Sequence, residues 1–281
     1  MTVSSPAIGL AQLSLVNTAA PQLIRIAAQA GFDFIGARVR PVTATERAYD
    51  LQPGSPLLKQ TLQAVAETGV GVRDIEFLLI DGSDQRDAWL RMMEAGQALG
   101  ASTLTVAASL ADENQLADIL SVMTRDGKAY GITPTLEVIS YQAVNSLPQA
   151  AELARRTGCA IVGDTLHLSR VGTDTGQLSE HAGLIPLLQL CDGPVIAPVD
   201  REGLVAESRS ERMVPGQGGF ALARMVAALP EGLALSVEAP SDSTVARIGD
   251  VAWARELMAG ARAVLAESRA LRQSTAAAAE H

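Results

Sequence analysis

Aromatic residues make up only 3% of this 281-residue chain, which also has just three histidines and two cysteines. So few rings leave no evident stacking platform for a sugar, and Trp89 and Trp253 fall in helical stretches where packing or an oligomer contact is the simpler use. Three histidines are too few for a histidine-rich multinuclear zinc centre. Cys159 and Cys191 stand in apolar, strand-like contexts rather than at metal-ligand or disulfide-scaffold spacing, the pattern of reduced thiols in a cytoplasmic protein. Positive charge is also in deficit. Thirty-one acids against 22 bases give a formal charge of −9, spread without long runs, which argues against a nucleic-acid groove or an anionic membrane surface. No apolar run approaches the roughly 20 residues of a membrane span. The opening MTVSSPAIGLAQLSL shows neither the basic region nor the cleavage site of a signal peptide. These absences point to a cytoplasmic protein that handles a small molecule and binds neither nucleic acid nor membrane.

What the chain does contain is apolar material, 48% of its residues, arranged with a repeating period. Short apolar runs alternate with longer amphipathic ones along the whole length, which is βα repetition. Strands are expected at residues 7–15, 32–39, 71–80, 102–108, 132–139, 159–164, 184–191 and 233–239. Helical stretches such as 20–31, 86–100 and 147–158 end on glycine, as helices commonly do. Eight strand–helix repeats in about 270 residues match the count and length of a (β/α)8 TIM barrel. An open doubly wound sheet is the alternative, but no G-x-G-x-x-G follows the first strand. Pro134 and Pro186 fall inside candidate strands, and their missing N–H groups place them near strand starts. No linker divides the chain, so one domain is expected over residues 1–270, with 271–281 a low-complexity tail.

In such a barrel, chemistry sits at the C-terminal ends of the strands. The polar residues there are Arg38, Glu76, Glu137, Asp164, Gln189 with Asp192, and Glu238. One acid at a strand end is commonly a helix cap or a loop residue. Oxygen-bearing groups at the ends of strands five to eight are a different matter, because barrel closure turns adjacent strand ends toward one mouth. Together they could cage a divalent cation, and all-oxygen ligation favours Mg2+ or Mn2+, with Co2+ or Zn2+ as borderline alternatives.

Several of these residues lie in segments that carry a resemblance. AAQAGFDFIGARV, AGQALGAST, TLEVIS, GDTLHLSRVG, LLQLCDGP, ESRSERMVPGQGG and LSVEAP, taken in order, resemble the xylose isomerase-like barrel family, the sugar phosphate isomerase/epimerase group, from about residue 7 to 265. In its ketose epimerases a Glu, an Asp, a His and a second Glu bind one metal. The matching positions here are Glu137, Asp164, Gln189 and Glu238, with Gln189 an amide where the family has imidazole. The resemblance further implies that Glu137 and Glu238 are the acid/base pair and that His167, of the D-x-x-H motif, touches a substrate oxygen. The expected substrate is a polyol or keto-sugar, and barrels of this group often pair as homodimers. Chelation of a carbonyl and its neighbouring hydroxyl by the ion would stabilise a cis-enediolate, with one carboxylate removing the α-proton and the other returning it. A neutral imidazole can donate to an oxyanion without adding charge. His181 is expected to be a solvated helix residue.

Two further readings stay open. In ESRSERMVPGQGGF, Arg209 and Arg212 either overhang the mouth and grip a carboxylate, phosphate or polyol, or pair with Glu207 and Glu211 on a solvated face. Arg38 is a substrate anchor or half of an ion pair, and Glu76 faces the substrate or pairs with Arg38. An isomerase or epimerase is the leading expectation. A lyase or dehydratase using the same enediolate is its nearest rival, and a sugar-binding barrel without catalysis is a third class. A nuclease would need the histidines and basic surface that are lacking.

Overall fold

The computed structural model describes residues 6–43 and 46–279. Every expected apolar run contributes a strand: β1 (Ile8–Leu10), β2 (Phe34–Arg38), β3 (Gly71–Ile80), β4 (Thr103–Ala108), β5 (Thr133–Glu137), β6 (Ala160–Asp164), β7 (Leu187–Leu190) and β8 (Ala234–Val237). All pair in parallel, in chain order, and β8 closes onto β1 with Val237 opposite Leu10. The result is a (β/α)8 barrel with no free sheet edge. Pro134 is the second residue of β5 and Pro186 precedes β7, so neither breaks the middle of a ladder.

The helices are α1 (Ala20–Ala30), α2 (Pro56–Thr68), α3 (Arg86–Leu99), α4 (Glu113–Gly127), α5 (Leu147–Thr157), α6 (Thr165–Arg170), α7 (Thr175–His181), α8 (Arg201–Ser210), α9 (Leu222–Ala227), α10 (Asp242–Ile248) and α11 (Asp250–Ala279). Their starts are built by side-chain caps. Ser146 Oγ accepts from Gln149 N–H at the head of α5, and Asp112 Oδ1 accepts from Asn114 and Gln115 N–H at the head of α4. Residues 271–279, expected to belong to a low-complexity tail, continue α11 to Ala279, and Arg272 Nη2 ties this end to the carbonyls of Val226 and Leu229. No helix among the described residues is long and apolar enough to cross a membrane.

The main core lies between sheet and helices, where Leu23, Ile35, Ile75, Leu104 and Leu188 are fully enclosed. Trp89 and Trp253 join it, and their indole N–H groups donate to Asp126 and to the Ala239 carbonyl. A second cluster of Phe34, Val162, Leu187 and Ala234 packs against Ala7. It forms the floor of the barrel interior. Gly9 is required beside it, because a Cβ there would lie 2.1 Å from the Phe34 ring. Above this floor the inward positions become polar, and they lead up to the mouth.

Candidate active site at the barrel mouth

The C-terminal strand ends surround a cavity of about 310 Å³. Arg38, Glu76, Glu137, His167, Gln189 and Glu238 line it, so residues from six loops or strand ends meet in one place. Asp164 ends β6 and is fully buried beside them.

Asp164 has two structural tasks. Its Oδ1 accepts from Leu166 N–H at 2.8 Å, capping α6, and its Oδ2 accepts from Arg212 Nη1 at 2.7 Å. Because α6 begins at once, His167 stands within its first turn and lines the cavity. The His167 Nδ1 accepts from the Ser140 N–H at 3.4 Å and lies 3.2 Å from the Ser140 hydroxyl. That contact assigns the imidazole proton to Nε2. Tyr141 packs edge-on against the ring at 5.5 Å, and its hydroxyl meets Ser208 at 2.7 Å.

Glu137, Asp164 and His167 each bring a ligand atom within 4.8 Å of the others. Gln189 Nε2 donates to Glu238 Oε1 at 2.9 Å, whereas the Gln189 carbonyl oxygen is buried with no protein partner. An unpartnered amide oxygen among carboxylates suits a hard cation, so these residues fit a divalent ion.

Electrostatics separate the carboxyls. Burial pushes Glu238 up to about 8, with repulsion from Glu76 and Asp164 only partly offset by Arg212. Burial also raises Glu137 well above the ordinary range, helped by Glu238 and Asp164. At Asp164 burial is outweighed by the Arg212 guanidinium together with His167 and the Leu166 N–H, and the net shift is downward. His167 is lowered to about 4 by burial, against the pull of Asp164, and is neutral at pH 7.

Arg38 is held from behind and from both sides. Its backbone N–H donates to Gln12 Oε1 at 2.7 Å, and its guanidinium lies 3.3 Å from Glu76 and 3.6 Å from Glu46. Of the two readings for Glu76, the ion pair with Arg38 is present.

One open alternative is excluded and one expectation is corrected. Arg212 is not on a solvated face with Glu207 or Glu211: it is 3% exposed, and its Nη1 reaches Asp164 Oδ2, Glu238 Oε2 and the Glu238 carbonyl. Glu207 pairs instead with Arg170, 37 residues away. His181 is likewise buried rather than solvated, with Nδ1 3.1 Å from Arg155 Nη2, because α7 turns that face toward α5. Arg209 is exposed on α8 and lines the cavity rim. Asp192 serves the loop beneath, accepting from Gly193, Gly216 and Phe220 N–H groups. Sequence reasoning misses Tyr141, Ser140, Ser208, Gln12 and Phe77. Tyr141 follows the TLEVIS run directly, which is the one signal that could have found it. Phe77 reaches the cavity at a register shift in β3 that no local pattern announces.

Fold and site together define a closed parallel barrel with an acid-lined mouth. The sequence profile of the xylose isomerase-like TIM barrel family matches residues 24–266, and the chain belongs to that family. No curated protein sequence matches it. Among solved structures, a xylose isomerase-like TIM barrel/4-hydroxyphenylpyruvate dioxygenase fusion protein superposes with TM-score 0.81 at 22% identity, covering 97% of this chain and 44% of that one. This chain therefore spans less than half of the fusion protein. An IOLI protein with a bound zinc atom gives TM-score 0.76 at 16% identity, with coverage of 93% and 99%. L-ribulose 3-epimerase gives 0.72 at 17%, with coverage of 96% and 98%. A probable 3-DHS dehydratase, AsbF of Bacillus anthracis, shares the fold at TM-score 0.68 and 12% identity, with coverage of 89% and 97%.

Proposed function

We propose that the protein is a divalent-metal-dependent isomerase or epimerase acting on a sugar-like hydroxy-carbonyl compound, a polyol or keto-sugar. The observation that carries this reading is the cluster of Glu137, Asp164 and His167, whose ligand atoms lie within 4.8 Å of one another, with Glu238 and the unpartnered Gln189 oxygen on the same cavity. Glu137, Asp164, Gln189 and Glu238 would hold Mn2+ or Mg2+, with Co2+ or Zn2+ as alternatives. When bound, the ion would acidify the C–H next to the substrate carbonyl.

Glu137 and Glu238 are the acid/base pair. Both are buried and both face the cavity, within reach of a substrate held there. His167 donates its Nε2 proton to the oxygen that gains negative charge, and its neutrality adds no charge to the site. Arg38 and Arg209 anchor polar or anionic substrate groups from the rim. Glu76 holds the Arg38 guanidinium in place, and Arg212 keeps Asp164 ionised while its remaining donor face lines the cavity. A cytoplasmic location fits the two buried, unpaired cysteines.

Elimination is the second reading. A neutral imidazole that carries its proton on Nε2 can protonate a departing β-hydroxyl, and one structural neighbour is described as a dehydratase. Incubation of hydroxy-carbonyl candidates with Mn2+ in D2O separates the two. Deuterium uptake without a new double bond is the expected result, and a conjugated alkene absorbance would make the protein a lyase. Failure to bind Mn2+, Mg2+, Co2+ or Zn2+ would overturn both and leave a sugar-binding barrel.

A further inference from the structure

Between the apolar floor and the mouth lies a layer of oxygens, most of which the proposed reaction does not use. Residues two apart on a strand share a face, so the turn that brings Glu76 into the barrel brings Asp74 with it. The parallel register sets Asp74 beside Thr103 and Glu76 beside Thr105, and it sets Ser236 beside Gln189. All of these are at least nine-tenths buried, with Asp74 and Ser236 fully enclosed.

Most of their oxygens are not answered by the protein. No group of another residue reaches either oxygen of Asp74, and the hydroxyls of Thr103, Thr105 and Ser236 and the Oε1 of Glu76 are equally unpartnered. Thr135, on the next strand, shows the contrast, since its hydroxyl donates to the Leu104 carbonyl. Asp74 Oδ2 and Glu76 Oε1 both lie 2.7 Å from the point that a Cβ on Gly36 would occupy, so the two carboxylate oxygens close together over the bare glycine backbone, where no side chain fits.

Charge balance indicates what belongs there. Asp74, Glu76, Glu137, Asp164 and Glu238 are five buried carboxyls facing two buried guanidiniums, Arg38 and Arg212. An enclosed carboxylate without a counter-charge is strongly unfavourable. Arg38 pairs with Glu76 and Arg212 with Asp164 and Glu238, and neither hydrogen-bonds Asp74. The inference rests on Asp74, which the proposed reaction does not use, and so stands apart from that reaction. One carboxylate among neutral hydroxyl oxygens, with no nitrogen or sulfur donor, is the chemistry of a hard ion of low charge.

We propose that the barrel interior binds one monovalent alkali cation, Na+ or K+, on Asp74 with the hydroxyls of Thr103, Thr105 and Ser236 and the Oε1 of Glu76. The ion would tie β3, β4 and β8 together beneath the mouth.

The test is thermal unfolding of the full chain in EDTA, which removes any divalent contribution, at constant ionic strength in NaCl, KCl or choline chloride. The midpoint is expected to rise with Na+ or K+ concentration relative to choline, by mass action on the folded state. The more effective of the two salts identifies the ion. Asp74→Asn should abolish the difference between salts, and Ser236→Ala should raise the half-saturating concentration severalfold. Should Asp74→Asn fail to fold, crystals of the unaltered protein soaked in Tl+ should show an anomalous peak beside Asp74. Equal midpoints in the three salts, or Tl+-soaked crystals with no such peak, would overturn the proposal and assign a proton to Asp74 instead.

Discussion

Divalent metal binding should release protons, and its strength should climb steeply with pH. In the metal-free protein at pH 7, burial keeps Glu238, at about 8, mostly protonated. Glu137 is raised well above its ordinary value for the same reason and by its acidic neighbours. Asp164 stays ionised because of Arg212. A cation seated on these groups must displace the protons on Glu137 and Glu238. Each displaced proton steepens the apparent affinity by about tenfold per pH unit. Two give about a hundredfold gain from pH 6 to 7, with the slope easing as pH passes the Glu238 value. The sign for stability runs the other way in the metal-free protein. Both carboxyls bind protons more tightly folded than unfolded, so their contribution is full at low pH and is lost as pH rises through their folded values. Added Mn2+ should therefore stabilise most at pH 8. Calorimetric titration with Mn2+ in two buffers of different protonation enthalpy reads the proton count directly. Zero proton release with a flat affinity from pH 6 to 8 would refute the reasoning.

Other consequences can be measured separately. Asp164→Asn removes the carboxylate that neutralises buried Arg212 and should cost about 3–5 kcal/mol in denaturant unfolding, as well as weakening metal binding. His167→Ala should retain the metal while lowering turnover, and equal metal loss in the two variants by metal analysis would defeat this division of roles. The His167 value of about 4 lies below the unfolded value of 6.5, so its contribution to stability is present above pH 6.5 and fades as pH falls toward 4. The worth is about 3 kcal/mol, and urea unfolding of His167→Gln against the unaltered protein should show the difference closing over that window. Gly9→Ala would push a Cβ to 2.1 Å from the Phe34 ring and should destabilise by about 1–3 kcal/mol, with Phe34→Leu restoring part of the loss.

Asp164 and His167 show how far sequence reading reaches. An apolar strand ending in an acid, followed within one turn by a histidine, places both at one barrel mouth once eight such repeats close. Arg212 shows where it stops. Its partner Asp164 is 48 residues earlier, and nearby Glu207 and Glu211 offer equally plausible pairs along the chain. Only the return of the loop after α8 over the ends of β6 and β8 decides between them. His181 repeats the lesson, since a polar residue at the end of a polar helix looks solvated until α5 packs against it.

Periodicity and strand-end chemistry, which depend on neighbours in the chain, are thus written in the sequence itself: eight strands, their order, and the acids at their ends. The family follows from the same segments. Tertiary structure alone decided which buried charges meet, why Glu137 and Glu238 hold protons that Asp164 gives up, and that Asp74 is enclosed without a partner. Those outcomes depend on burial and on distances between residues far apart in the chain, and electrostatic interaction in a dry interior changes steeply with both.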